Sequence, residues 1–181
     1  MFNTIKKIRQ KRLLQQQLKY TRVRQMHNLQ TAKRIAMIFD VGDEQSWKII
    51  NKFATELSKR GKEMVLLGRK LQKELDFVIT NTSVILCNLE DVDFWGVPKN
   101  YPVGNFFNQH FDMLIDTIQE PDFFSQYVSL KTMADYKISR DKADNEKYFD
   151  LLIRMDDSTD DVKAFLKQVL YYLNLITFEK K

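Results

Sequence analysis

Aspartates that close apolar runs are the first residues in this chain able to do chemistry. Asp40 follows Ile35-Ala36-Met37-Ile38-Phe39, Asp116 ends Phe111-Asp112-Met113-Leu114-Ile115, and Asp43 lies just beyond Gly42. Hard carboxylate oxygens suit Mg²⁺, which takes one or two of them together with water. Asp40, Asp43 and Asp116 are therefore candidate Mg²⁺ ligands, with Asp156 in a similar position. Such an ion would assist hydrolysis or phosphoryl transfer by neutralising developing charge. The competing interpretation is commoner: an aspartate at a strand end caps the next helix or closes a turn. A phosphate cradle has little support, because it needs successive glycines at a helix N-terminus. Here Gly42 stands alone, ahead of Asp43 and Glu44, whose charges oppose a phosphate.

Other catalytic chemistry has fewer residues to draw on. Two histidines, His27 and His110, and one cysteine, Cys87, have no paired spacing, so a usual zinc site is not expected. No local signature makes a nucleophile of Cys87 or of a serine beside His110. His110 is expected to be a loop residue making one or two hydrogen bonds, and Cys87 a small buried hydrophobe. Phe94-Trp95 sits in a loop rich in breakers, where it either plugs the end of the fold or docks a partner.

Charge is distributed unevenly. Residues 1–34 contain Lys6, Lys7, Arg9, Lys11, Arg12, Lys19, Arg22, Arg24, Lys33 and Arg34 and no acid, a charge of +10 in a chain whose net charge is +5. The remainder is thus mildly acidic, and an asymmetry of this kind concerns partners rather than fold. Cations without compensating acids neutralise phosphates and release counterions. Gln10, Gln15, Gln16, Gln17, Gln25 and Asn28 add hydrogen-bonding groups. RNA or a ribonucleoprotein such as the ribosome is the expected partner. An acidic protein, or the acidic body itself, would satisfy the same charge. An anionic membrane surface fits less well, because glutamines interrupt the apolar stripe and Phe2 and Tyr20 are the only aromatics.

The elements that must position these groups follow from pattern. Residues 1–33 lack proline and glycine and read as a basic helical arm, part docked and part projecting. Ile35 to Asp40 is a strand apolar on both faces, so it belongs inside a sheet covered on both sides. Trp47, Ile50, Phe53, Ala54 and Leu57 form a helical stripe capped by Asp43 or Ser46 and stopped by Gly61. Residues 64–67 are a second strand, 71–77 a short helix, 84–87 a strand and 111–116 another. A helix is expected over 122–135, short strands over 136–139 and 148–155, and a last helix capped by Ser158 or Thr159 with Asp160 and Asp161 in its first turn. This alternation predicts a doubly wound, Rossmann-like α/β three-layer sandwich of about five mainly parallel strands. Residues 34–181 form its single domain.

Bulk properties agree. With 181 residues and 44% hydrophobic residues, one buried core is affordable and two full domains are not. One cysteine excludes an internal disulfide framework and fits a reducing, cytoplasmic setting. No secretory signal and no run of about 18 apolar residues is seen.

The basic helical arm, the Ile35–Asp40 strand, the Phe-Asp-Met-Leu-Ile-Asp strand at 111–116, the Phe-Asp-Leu-Leu-Ile strand at 149–153 and the Tyr171-Tyr172-Leu173 helix together resemble an uncharacterised Bacteroidota family, a domain of unknown function. That resemblance implies a bacterial cytoplasmic protein and no stated activity. The 111–116 strand is also distantly similar to one in half of the heptosyltransferase-type glycosyltransferases, whose donor-binding half has no counterpart in this sequence. The expectation is a non-catalytic binding or adaptor protein that needs no cofactor and contacts RNA or a ribonucleoprotein through its arm. The alternative is a small Mg²⁺-dependent hydrolase or phosphotransfer enzyme.

Overall fold

The computed structural model describes residues 2–20, 22–156, 158 and 161–178. Six strands, β1 (Arg34–Val41), β2 (Glu63–Lys70), β3 (Val84–Cys87), β4 (His110–Asp116), β5 (Met133–Arg140) and β6 (Leu151–Ile153), form one parallel sheet in the order β3-β2-β1-β4-β5-β6. In the interior strand β1 only Arg34 and Asp40 are less than fully buried. Its unbroken apolar run is therefore a consequence of being covered on both faces.

The helices are α1 (Phe2–Gln17), α2 (Glu44–Lys59), the single turn α3 (Gly104–Phe107), α4 (Phe123–Lys131) and α5 (Val162–Leu175). Odd-numbered β1 residues Ile35, Met37 and Phe39 pack with Trp47 and Ile50 of α2 and with Phe165 and Val169 of α5. Even-numbered Ala36 and Ile38 face Phe106 of α3 and Phe124 and Val128 of α4. The period of two thus divides one strand between two cores, and the result is the expected α/β three-layer sandwich. Outside this, α1 lies against α4.

Asp43 caps α2, accepting the Ser46 N–H at 2.8 Å, and Gly61 (φ +77°) ends that helix as read from the sequence. Gly68 has a different purpose: a Cβ there would lie 2.8 Å from the Phe39 ring, so the bare backbone makes room for the ring that stacks on Trp47.

Several boundaries differ from expectation. The helix expected over 122–135 ends at Lys131, and Met133 already begins β5. No helix forms over 71–77, and the strand expected over 148–155 is confined to Leu151–Ile153. Asp161, and not Ser158, caps α5 by accepting the Ala164 N–H at 2.6 Å; Thr159 and Asp160 lie outside the described residues. The arm is helical only to Gln17, and residues 22–28 then run without helix along the body.

Candidate functional site

In an open parallel sheet, ligands bind beyond the carboxyl ends of the strands where strand order reverses. Here that is between β1 and β4, and a cavity of about 620 Å³ lies there, bordered by Asp40, Asp43, Thr117, Arg140 and Asp161. The aspartates anticipated as Mg²⁺ ligands reach this rim, but each is engaged. Asp40 is clamped by Arg69, its cross-strand neighbour, with Nε 2.6 Å from Oδ1 and Nη2 2.9 Å from Oδ2. Arg69 also reaches Asp122, the cap of α4, and lies over the Phe124 ring at 4.9 Å. Asp43 holds both the Ser46 N–H and the Ser46 hydroxyl. Asp156 accepts the Ser158 N–H at 3.4 Å.

Asp116 is 2% exposed and accepts from the Ile118 N–H at 3.0 Å and the Ser129 hydroxyl at 3.3 Å. Burial, reinforced by Asp40, lifts its carboxyl to about 7 against those bonds and the pull of Arg140. Asp40, Asp43 and Asp116 therefore serve an ion-pair clamp, a helix cap and a buried acid, and their oxygens do not converge within 4.8 Å of one another. Arg140, also buried, donates to the Thr117 carbonyl at 2.6 Å and stacks on Phe165 at 4.1 Å.

The ten cations of residues 1–34 are engaged to different degrees. Arg22 bonds the Ala134 and Asp135 carbonyls and the Asp150 carboxylate, and Arg24 is 3.5 Å from the same carboxylate. Arg34 pairs with Glu63 at 2.9 Å and lies over Phe111. These three bind the arm and β1 to the body. Lys7, Arg9, Arg12, Lys19 and Lys33 are exposed and form no ion pair among the described residues, while exposed Lys11 lies within electrostatic range of Asp144. The docked face of α1 is Lys6, Gln10, Leu13, Leu14 and Gln17, at three-four spacing, all buried or half-buried. Gln10 donates to the Trp95 carbonyl at 2.7 Å, and Lys6 lies 5.6 Å from the Phe94 ring centre. Phe94 is 65% exposed, so it is no plug; the Phe94-Trp95 loop receives the arm helix.

Cys87 is buried as expected, and burial raises its thiol to about 11, which leaves no thiolate nucleophile at neutral pH. A fully buried lysine in β5 was not singled out from the sequence. The Lys137 ammonium donates to the Ser129 and Leu130 carbonyls at the end of α4, a cation at the negative end of a helix. Burial, aided by Arg22 and Arg24 and opposed by Asp150, lowers its value to about 7.

Sequence reasoning also missed a group at the opposite, amino end of the sheet. His27, Asp112 and Asp135 each present one ligand atom, all within 4.8 Å of one another. His110 joins them, its Nε2 2.9 Å from Asp135 Oδ1. His110, expected in a loop, instead opens β4 and so shares a strand face with Asp112. The partner Asp135 was hidden, because it fell at the end of an expected helix.

Residues 4–176 match a family of unknown function (DUF6913). The chain belongs to that family. The match begins inside α1 and runs through α5, so the family takes in the arm as well as the sheet. Neither a search of curated proteins nor one of solved structures gives a match. No helix among the described residues is long and apolar enough to cross a membrane.

Proposed function

We propose that this family member is a non-catalytic binding protein that contacts RNA or a ribonucleoprotein, the ribosome included, through α1, in a bacterial cytoplasm. One observation supports this most: α1 is docked through a face that leaves Lys7, Arg9 and Arg12 exposed without an ion pair among the described residues. A basic helix held against a folded body presents its charges in fixed order, so less conformational freedom is lost on binding a phosphate backbone. The sequence of α1 argues for nucleic acid over a membrane surface, since Gln10, Gln15, Gln16 and Gln17 interrupt the apolar stripe that Ile5 and Ile8 begin.

The test uses the full chain and fluorescently labelled bacterial ribosomal RNA, at about 50 and 200 mM salt. Replacing Lys7, Arg9, Lys11 and Arg12 together by alanine should weaken binding by tenfold or more and lower the salt slope by about three. Equal binding by the fourfold variant removes the proposal. The Mg²⁺-dependent enzyme has the cavity of about 620 Å³ at the strand-order reversal in its favour and the engaged aspartates against it. A melting temperature unmoved by about 10 mM Mg²⁺ would dispose of it.

A further inference from the structure

At the amino end of the sheet, register sets two carboxylates side by side. Phe111 pairs with Ala134 and Met113 with Tyr136, so Asp112 and Asp135 fall opposite one another on adjacent strands. Like charges in that position repel. Neither has a Lys or Arg ion pair among the described residues, although arginines are plentiful nearby. Asp112 Oδ2 accepts the backbone N–H groups of Lys33 and Arg34 at 2.6 and 2.8 Å, which leaves Oδ1. Asp135 Oδ1 faces His110, which leaves Oδ2.

His27 points into this pair. It is 6% exposed, and its Nε2 is buried without a hydrogen-bond partner, 3.5 Å from Asp135 Oδ2. Its other nitrogen, Nδ1, meets the Thr31 hydroxyl. Thr31 Oγ1 accepts the Asn28 N–H at 3.0 Å and lies 3.4 Å from the Asn28 carbonyl, which takes its single proton. The contact of 3.3 Å between Thr31 Oγ1 and His27 Nδ1 is then one in which Nδ1–H donates. Nε2 faces carboxylate oxygen in a buried position without a hydrogen-bond partner, an arrangement that calls for a cation between them.

We propose that His27 Nε2, Asp112 and Asp135 bind a divalent transition-metal ion of the zinc class, which pins the segment after α1 to the amino ends of β4 and β5. Zinc bonds to nitrogen and oxygen of about 2.0–2.2 Å put tetrahedral ligands about 3.3 Å apart. The separation of 3.5 Å between His27 and Asp135 is already close to that, and the 4.8 Å span of the whole set closes with small side-chain movements. His110 holds the second oxygen of Asp135 and so orients a ligand from outside. A cavity of about 700 Å³ borders His110 and Asp135, on one side of the cluster. The imidazole nitrogen distinguishes this ion from Mg²⁺, which prefers oxygen alone.

The experiment begins with the metal-free full chain and two probes, Zn²⁺ by calorimetry with a competing chelator and Co²⁺ by visible absorption. One equivalent of Zn²⁺ should bind and raise the melting temperature, and Co²⁺ should develop the intense d–d bands of a four-coordinate site. His27→Ala should abolish both signals, and His110→Ala should weaken Zn²⁺ about tenfold. Circular dichroism confirms that each variant is folded; should His27→Ala not fold, Asp112→Asn replaces it, since an amide oxygen can still accept the two backbone N–H groups. Three outcomes overturn the proposal. One is no binding at about 100 μM Zn²⁺. Another is unchanged binding in a folded His27→Ala or Asp112→Asn variant. The third is a six-coordinate Co²⁺ spectrum insensitive to His27.

Discussion

The two ends of one sheet treat their carboxylates in opposite ways. At the carboxyl ends each aspartate is matched: Asp40 by Arg69, Asp43 by Ser46, Asp161 by the Ala164 N–H, and Asp116 by burial that favours its neutral form. At the amino ends Asp112, one oxygen of which takes the Lys33 and Arg34 N–H groups, and Asp135 stand on neighbouring strands with two imidazoles and no Lys or Arg ion pair among the described residues. Fold alone would send a ligand to the first place, while the charge balance points to the second. The difference teaches that a cavity at the expected position is weak grounds for a site when its charged groups already satisfy one another.

Breaking the matched end should have the larger effects. Asp116 titrates at about 7 folded against an ordinary 3.8, so the folded state holds its proton more tightly. Its contribution is complete below about pH 4 and is lost as pH rises through 7, a fall of up to about 4 kcal/mol. Urea denaturation across that interval should show the decline in the native chain and its absence in Asp116→Asn. Next in size is Arg69→Leu, which strands Asp40 and Asp122 together. A loss of about 3 kcal/mol is expected for a largely buried pair broken from one side, read as a lower urea midpoint with unchanged slope. The smallest effect belongs to the unmatched end. In the presence of chelator, Asp135→Asn removes a repulsion as well as a contact to His110, and stability should move by less than about 1 kcal/mol. A loss as large as that of Arg69→Leu would mean that the two ends are equally compensated and would erase the contrast.

Much of the scaffold was legible in the sequence, because burial on two faces leaves a mark that no partner can disguise. The run from Ile35 to Asp40 and the stripe from Trp47 to Leu57 with Gly61 beyond it appear as read, and a last helix follows the acidic turn at its expected place. Misreadings cluster where a distant group overrides local preference. β5, expected over 136–139, already begins at Met133 because α4 stops at Lys131, and the carbonyls of Ser129 and Leu130 at that helix end make the burial of Lys137 tolerable. The arm was read as one helix because nothing breaks it before residue 34. Contacts to the body stop it instead: Arg22 is drawn to Asp150, the Gln25 N–H to the Asp135 carbonyl, and Asn28 folds the chain back on Thr31.

The candidate sites divide along the same line. Sequence alone determined which residues carry charge and that ten cations and no acid fall within residues 1–34, since these follow from composition. Which of those charges are already spent was decided only by tertiary structure. Arg69 meets Asp40 because parallel register places them opposite, and Asp112 meets Asp135 for the same reason one pair of strands away. His27 arrives from a segment with no regular pattern of its own. Electrostatic pairing depends on distances of a few ångströms between residues far apart in the chain, and those distances exist only once the strands are in order.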